Sequence, residues 1–342
     1  MKQYQNTLYV TTQNAYLSKE GEAVVVSVER EVRLRVPLHT LGSIVCFGQV
    51  SCSPWLMEAC AERDVALSFL SEQGHFLARV QGPVSGNVLL RRAQYRRADD
   101  EGGSAAVARA ILAAKFANSR TVLQRALRDR PDGAGAADLQ AAVVRLERLQ
   151  GELSPDLALE SLRGMEGDAA KTYFSVFDRL ITTQKEEFFR GRSRRPPLDN
   201  LNAMLSFVYT LLAHDASGAL QAVGLDPQVG FLHRERPGRP SLALDLMEEF
   251  RPFLADRLVL SLINLRQVQG RGFARSESGA VTMSDATRKE VLVAYQKRKQ
   301  EEIVHPFLGE KTTVGLLVHL QALLLARFVR GDLDGYPPFV WK

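Results

Sequence analysis

The hydrophobic period of this chain changes at about residue 90, and a chain patterned in that way folds as two differently built parts. Before the change, short β-branched and aromatic runs alternate with turn residues: Thr7 to Val10, Ala15 to Leu17, Ala23 to Val28, Val32 to Val36 and Ile44 to Phe47. Such runs read as strands. Lys19-Glu20-Gly21-Glu22 supplies a hairpin turn, and Pro37 stops a strand at its end. Ser53-Pro54 opens a helix through about Arg63, because serine caps exposed amides and proline is tolerated at the first helical position. Val65 to Leu70 and Phe76 to Val80 resume as strands around Ser71-Glu72-Gln73-Gly74. From about Leu89 apolar residues recur at helical spacing, as in Ala105 to Ala117, Leu139 to Leu149, Ala169 to Ile181 and Leu201 to Leu212. The expectation is an α+β protein: a small β-rich domain, 1–90, followed by a larger, mostly α-helical domain, 91–342.

A chain of 342 residues, 45% apolar and 24% charged, suffices for about two packed domains. The formal charge of +5 is mild, but its distribution is informative. Residues 1–90 hold seven Lys/Arg against eight Asp/Glu, leaving 37 against 31 in the remainder, so a nucleic-acid partner is expected to meet the second part. No apolar leader follows Met1-Lys2, and the longest apolar segment, Val314 to Val329, is short and carries His319 and Arg327. Cys46, Cys52 and Cys60 lack any C-x-x-C pairing, which argues against a disulfide framework or a zinc site and fits a reducing cytoplasm. The chain contains no phosphate loop of the Walker type, no strand-borne G-x-G-x-x-G, no G-x-S-x-G elbow and no H-E-x-x-H. Nucleotide hydrolysis, dinucleotide redox chemistry and serine hydrolysis therefore lose support.

Three constellations in the helical part carry possible chemistry. Glu166 lies in Gly164-Met165-Glu166-Gly167-Asp168-Ala169-Ala170, where helical spacing puts it on one side with Ala169, Ala170 and Tyr173. Glycine inside a helix costs roughly 1 kcal/mol relative to alanine, so two beside one acid suggest that something must approach closely. The plainer alternative is a helix start with a solvated glutamate. His233 ends Gly230-Phe231-Leu232-His233 and leads into Arg234, Arg236 and Arg239, so one loop offers a metal-binding imidazole and guanidinium groups suited to phosphate. Read alone, it is a partly buried, hydrogen-bonded histidine. Ser241 to Phe250 reads as a helix capped by Ser241 and broken by Pro252, with Asp245 and Glu248 one turn apart. Acids at that spacing repel unless solvated, paired or neutralised by a cation. Two loops, 130–136 and 191–197, concentrate Gly, Pro and Arg.

Taken in order, GMEGDAAKTYF, NAMLSFVYTL, GLDPQVGFLH and SLALDLMEEFRPFLADRLVL resemble the CRISPR-associated integrase family often called Cas-one. The resemblance spans the chain and implies a β-rich N-terminal domain before a helical catalytic one. It places the family's metal ligands on Glu166, His233 and Glu248, and an acid beside the metal on Asp245. Glu249, adjacent to the last ligand, is then expected to be solvated or paired with an arginine. The resemblance further implies Mg2+ or Mn2+ as cofactor, double-stranded DNA as substrate (spacer precursor and CRISPR repeat), a homodimer, and a small companion protein, Cas-two. The reaction implied is attack of a spacer 3′-hydroxyl on a repeat phosphodiester. Arg236 and Arg239, together with Arg190, Arg192, Arg194 and Arg195, are expected to contact DNA. Two other classes remain open at this stage: a metal-dependent repair nuclease acting on branched DNA, and a helical protein that binds nucleic acid without catalysis.

Overall fold

The computed structural model describes residues 6–63, 65–72, 76–80, 82, 88–131, 133, 135–193 and 196–341. Contacts divide the chain into two compact units, Met1–Gly86 with Leu292–Gln300, and Asn87–Val291 with Glu301–Lys342. The architecture is α+β, with strands concentrated at the N-terminus and helices beyond.

In the first unit the strands are β1 (Asn6–Val10), β2 (Ala15–Glu20), β3 (Ala23–Val28), β4 (Glu31–Pro37), β5 (Leu41–Phe47) and β6 (Val50–Cys52). After them come α1 (Pro54–Glu62), β7 (Ala66–Leu70) and β8 (Phe76–Val80). They form two four-stranded sheets, ordered β1-β5-β7-β8 and β4-β3-β2-β6. The β2–β3 hairpin closes through Gly21 and Glu22, with Glu20 paired to Ala23. Gly21 has φ +58°, a conformation the tight hairpin turn requires and glycine adopts without cost. β5 is paired in parallel on both sides, by β1 and β7. Ile44 to Phe47 is a continuous buried apolar run instead of an alternating one, the pattern of a parallel strand whose two faces are both covered. Ser53 Oγ accepts the amide of Leu56 at 3.2 Å, the cap expected before Pro54. Leu17, Val24, Ile44, Leu56, Cys60 and Leu67 share one core. The three cysteines are free thiols; burial pushes Cys46 and Cys60 up to about 12 and Cys52 up to about 11, which leaves them chemically quiet. Of the turn expected at Ser71 to Gly74, Gln73 and Gly74 lie outside the described residues.

The second unit runs α2 (Val88–Asp99), α3 (Glu101–Asp129), α4 (Ala136–Gly151), α5 (Leu159–Ser175), a short α6 (Lys185–Phe188) and α7 (Asn200–Ala222). Further along are α8 (Ser241–Met247), α9 (Arg257–Asn264), the hairpin β9 (Phe273–Arg275) with β10 (Val281–Met283), and α10 (Asp285–Lys299), whose last turns belong to the first unit. A second hairpin, β11 (Glu302–Val304) with β12 (Lys311–Thr313), precedes α11 (Val314–Arg330). The two small hairpins were not legible in the helical texture of this half. Asp100 caps α3 by accepting the amide of Gly103, and Asp199 caps α7 by accepting that of Asn202. α3 packs against α2, α4, α5 and α8, while α7 packs against α8, α9 and α11, so these two long helices are the frame on which α8 is held. No helix among the described residues is long and apolar enough to cross a membrane.

Ile44 is fully buried in the central strand of its sheet. Ile44→Ala should therefore lower the stability of the first unit by about 2–5 kcal/mol. Hydrogen exchange of β1 and β7 should accelerate, with protection in α3 and α7 unchanged.

Candidate functional site

Glu166 lies in the middle of α5, not at a helix start. A Cβ added to Gly164 or Gly167 would meet nothing within 4 Å, so no close approach at these positions accounts for the two glycines. Its inward neighbour is Lys115 of α3, whose ammonium is paired with Glu166 and lies 2.7 Å from Oε2 of Glu248. Glu248, only 3% exposed, also receives Arg251 on Oε1 at 2.6 Å. Burial alone would raise this carboxyl, yet Arg251, Lys115 and His233 together overcome that penalty and hold it far below the ordinary carboxylate range. Glu248 is thus a carboxylate at any physiological pH. Its Oε2 is occupied by the Lys115 ammonium at 2.7 Å, so this buried oxygen already holds a cation.

His233 stands in the loop after α7, and Asp245 of α8 builds that loop. The Asp245 carboxylate is fully buried and accepts the backbone amides of Phe231, Leu232 and His233 at 2.6, 2.9 and 2.9 Å. It also meets Nδ1 of His233 at 2.7 Å. An ionised carboxylate only accepts, so Nδ1 carries a proton, and Nε2 is the ring nitrogen that could serve as a metal ligand. Gly230 permits this close fold, since a Cβ there would come within 2.8 Å of Asp245 Oδ2 and of the Ser241 backbone. Asp245 is therefore a positioning residue behind His233, where the resemblance put an acid beside the metal.

Three expectations for this segment are corrected. Ser241 does not cap α8: Pro240 occupies the cap position, and the Ser241 hydroxyl donates to the carbonyl of Arg234 at 3.3 Å. The helix expected to run to Phe250 ends earlier, at Met247, and residues 248–250 form a turn; Pro252 then opens a π-helical segment, Arg251–Asp256, at a position where its missing N–H is tolerated, and the chain continues as α9. Glu249 is neither solvated nor paired with arginine. It is fully buried and accepts Phe339 N at 2.7 Å, Gln321 Nε2 at 3.0 Å and the Tyr336 hydroxyl. Burial pushes it up to about 7 despite these donors. Asn118 of α3 ties the same region together, donating to the carbonyls of Glu249 and Phe339 and accepting the amide of Trp341. At the end of the π-helical segment Asp256 is pushed up to about 6 by burial, against the opposing pull of Arg251, and accepts the Tyr209 hydroxyl.

Glu166 and His233 line one open pocket of about 150 Å³ with Arg163, Leu232, Arg234, Arg236 and Arg239. Arg163 donates to the Leu232 carbonyl at 2.7 Å and pairs with Glu160, which also holds Arg234 at 2.7 Å. Arg236 is exposed at the rim. The other arginines expected to contact DNA lie elsewhere. Arg190 lines a separate cleft with Glu187 and Arg275, and Arg192 is bonded to Asn202 and stacked on the Phe174 ring. Arg194 and Arg195 lie outside the described residues. Among the described residues no three His, Cys, Asp or Glu side chains form a ready-made ligand cluster. The structure joins Glu166 to Glu248 through Lys115 and joins Glu166 to His233 through the shared pocket. Sequence reasoning missed Lys115, Arg163 and Asn118. Lys115 had a signal: it falls on the buried stripe of α3 with Ile111, Leu112, Ser119 and Val122, where a lysine needs a partner.

Two carboxylates and an imidazole beside an arginine-lined pocket, on a helical unit, define the class of sites suited to cation-assisted phosphoryl chemistry. The comparisons make the assignment specific: the chain belongs to the family described as CRISPR associated protein Cas1, which it matches over residues 8–297. It is 57% identical over 343 residues to the CRISPR-associated endonuclease Cas1 1 of Chlorobaculum tepidum, covering 100% of both chains. It is 51% identical to the CRISPR-associated endonuclease Cas1 2 of Rhodospirillum rubrum, again over 100% of both. In fold it resembles a CAS1 protein from Thermotoga maritima, with a TM-score of 0.81, 22% identity, and 96% and 99% of the two chains covered. A casposase bound to its integration product gives a TM-score of 0.82 at 22% identity, covering 98% of this chain and 94% of that one.

The buried glutamate generates a pH-dependent expectation. With its pKa raised from 4.5 to about 7, Glu249 binds its proton more tightly in the folded than in the unfolded chain. The resulting stabilisation is complete below the unfolded value and is lost as pH rises through the folded one. Urea denaturation of wild type and Glu249→Gln should show the balance moving against the wild type by on the order of 3 kcal/mol between about pH 4 and about pH 8. A pH-independent difference would mean that Glu249 titrates normally.

Proposed function

We propose that this chain is a divalent-metal-dependent DNA endonuclease and integrase that inserts spacers into a CRISPR array, joining spacer 3′-hydroxyl ends to the repeat. What carries the proposal is a coincidence in one chain. The Cas1 match covers residues 8–297, and in the same helical unit Glu166 shares a pocket with His233 and a cation with Glu248. The names of relatives at 57% and 51% identity, both CRISPR-associated endonucleases, support the activity.

Glu166, His233 and Glu248 would hold the divalent cation. The buried carboxylate of Glu248, the placement of Glu166 and His233 on one open pocket and the Nδ1–H of His233 held by Asp245 suit that role. When bound, the cation supplies Lewis-acid polarisation of the target phosphate and neutralises developing charge. The mixed N/O donor set suits Mn2+ and tolerates Mg2+. Asp245 fixes the imidazole and its loop, and Arg251 keeps Glu248 ionised. Arg236 and Arg239 at the pocket are placed to grip the target phosphate, since a guanidinium donates two parallel hydrogen bonds. The described pocket offers no Ser, Cys or Thr nucleophile, so the attacking oxygen comes from whatever the DNA positions there.

Double-stranded DNA is the proposed substrate, with the small Cas2 protein as companion; a structure related in fold is of a Cas6-RT-Cas1--Cas2 complex. We assign assembly to the β-rich part. It contains none of the proposed ligands, and its edge strand β4 is exposed along its length, with Val32 52% and Leu34 44% accessible. A homodimer formed there, in the reducing cytoplasm where the free cysteines are at home, completes the proposal.

Glu166→Gln, His233→Ala and Glu248→Gln should each reduce manganese-dependent joining and nicking by about a hundredfold or more in folded protein. Unchanged activity in all three would remove the ligand assignment. Spacers ending in 3′-hydroxyl should be incorporated into a repeat-bearing plasmid and 3′-dideoxy spacers should not, while nicking by water persists with both. Equal covalent incorporation of the two would exclude attack by the spacer hydroxyl.

A further inference from the structure

Lys115 has no place in the proposed chemistry, yet it is the group on which Glu166 and Glu248 converge. Its side chain is 8% exposed and rises from the buried stripe of α3, so it is not a surface lysine that happens to find a partner. Burying an ammonium is costly unless it is paired, and burying Glu248 is costly for the same reason. Each charge makes the other tolerable. Glu166 and Glu248 carry two negative charges and Lys115 and Arg251 two positive ones, so the set is neutral as it stands.

That neutrality conflicts with adding a divalent cation. An ion held by the carboxylate oxygens at about 2.0–2.6 Å would occupy the space of the ammonium, which is 2.7 Å from Glu248 Oε2. If the ammonium stayed, the site would carry two uncompensated positive charges. A lysine head on a flexible four-carbon stem can swing away while the helix that bears it stays fixed. It then needs a new anion, and the phosphate groups of a nucleic-acid backbone entering the arginine-lined pocket beside Glu166 are of that kind.

We propose that Lys115 is a built-in substitute cation: it holds Glu166 and Glu248 together when no divalent ion is bound, competes with that ion, and makes its binding depend on DNA phosphate. The proposal rests on Glu166, His233 and Glu248 being the metal ligands. Its measurable consequence is that free protein binds Mn2+ weakly and DNA-bound protein binds it more tightly, with Lys115 the cause of the difference.

The test is Mn2+ titration of the full chain, with free ion followed by electron paramagnetic resonance, in the presence and absence of a short duplex. Lys115→Met should bind Mn2+ without DNA about tenfold or more tightly than the wild type, a factor typical of losing one competing charge-assisted contact. The duplex should then add little to its affinity. Lys115→Arg, which keeps the charge, should bind weakly as the wild type does. Metal-free Lys115→Met should also melt at a lower temperature than the wild type and recover more on adding Mn2+. If Lys115→Met does not fold, Lys115→Gln, which keeps a donor without the charge, should show the same gain in affinity. Wild-type binding that is lost in Glu166→Gln and His233→Ala, but unimproved in Lys115→Met or Lys115→Gln, overturns this role and leaves the ligand assignment standing. Wild-type binding indifferent to Glu166→Gln and His233→Ala overturns both.

Discussion

Four carboxylates, Asp245, Glu248, Glu249 and Asp256, are buried to 3% exposure or less along one short stretch of chain, and each must be supplied with donors or cations. An unpartnered buried charge costs several kcal/mol, a large share of the net stability of a domain. The second unit is organised by the way those four demands are met. Asp245 gathers the loop that bears His233, and Glu248 takes Lys115 from α3 with Arg251 from the following turn. Glu249 draws in Gln321 of α11 and the final segment through Tyr336 and Phe339, while Asp256 reaches Tyr209 of α7. One acidic stretch thus fixes the relative placement of elements far apart in sequence, and the positions of Glu248 and the His233 loop follow from the same constraint.

This arrangement explains how neighbouring glutamates differ so widely. Glu248 faces two cations and stays ionised well below the usual range, whereas Glu249 faces only neutral donors and is pushed up to about 7. The residue type is the same and the partners decide. The one facing cations keeps its charge, and the other serves as an anchor for the end of the chain.

Much of this was legible in the sequence, for identifiable reasons. The strands of the first unit follow from β-branched runs bounded by turns, and Ser53-Pro54 capped α1 as its local chemistry demands. The motifs brought Glu166, His233, Asp245 and Glu248 into view, and the family resemblance, not spacing, preferred Glu248 to Glu249. What could not be read was partnership across long separations: Lys115 lies 51 residues from Glu166, and Asn118 lies 221 from Phe339. Nothing local marks such pairs. The two small hairpins escaped because three-residue strands leave no period to detect. Pro252 marked a break but not its place: the helix stops at Met247, and the proline opens the π turn that follows, where a missing N–H is tolerated.

That π turn also sets the angular phase of everything after it. An α-helix advances about 100° per residue, so a π turn that absorbs one residue more than an α turn rotates α9 relative to Arg251 by about that step. Deleting a single residue between Arg251 and Asp256 would tighten this segment toward α geometry, yet turn Asp256 and the apolar face of α9 away from their partners. Substitutions can drift through this stretch while its length cannot, and a length change here would be read by the fold as a rotation.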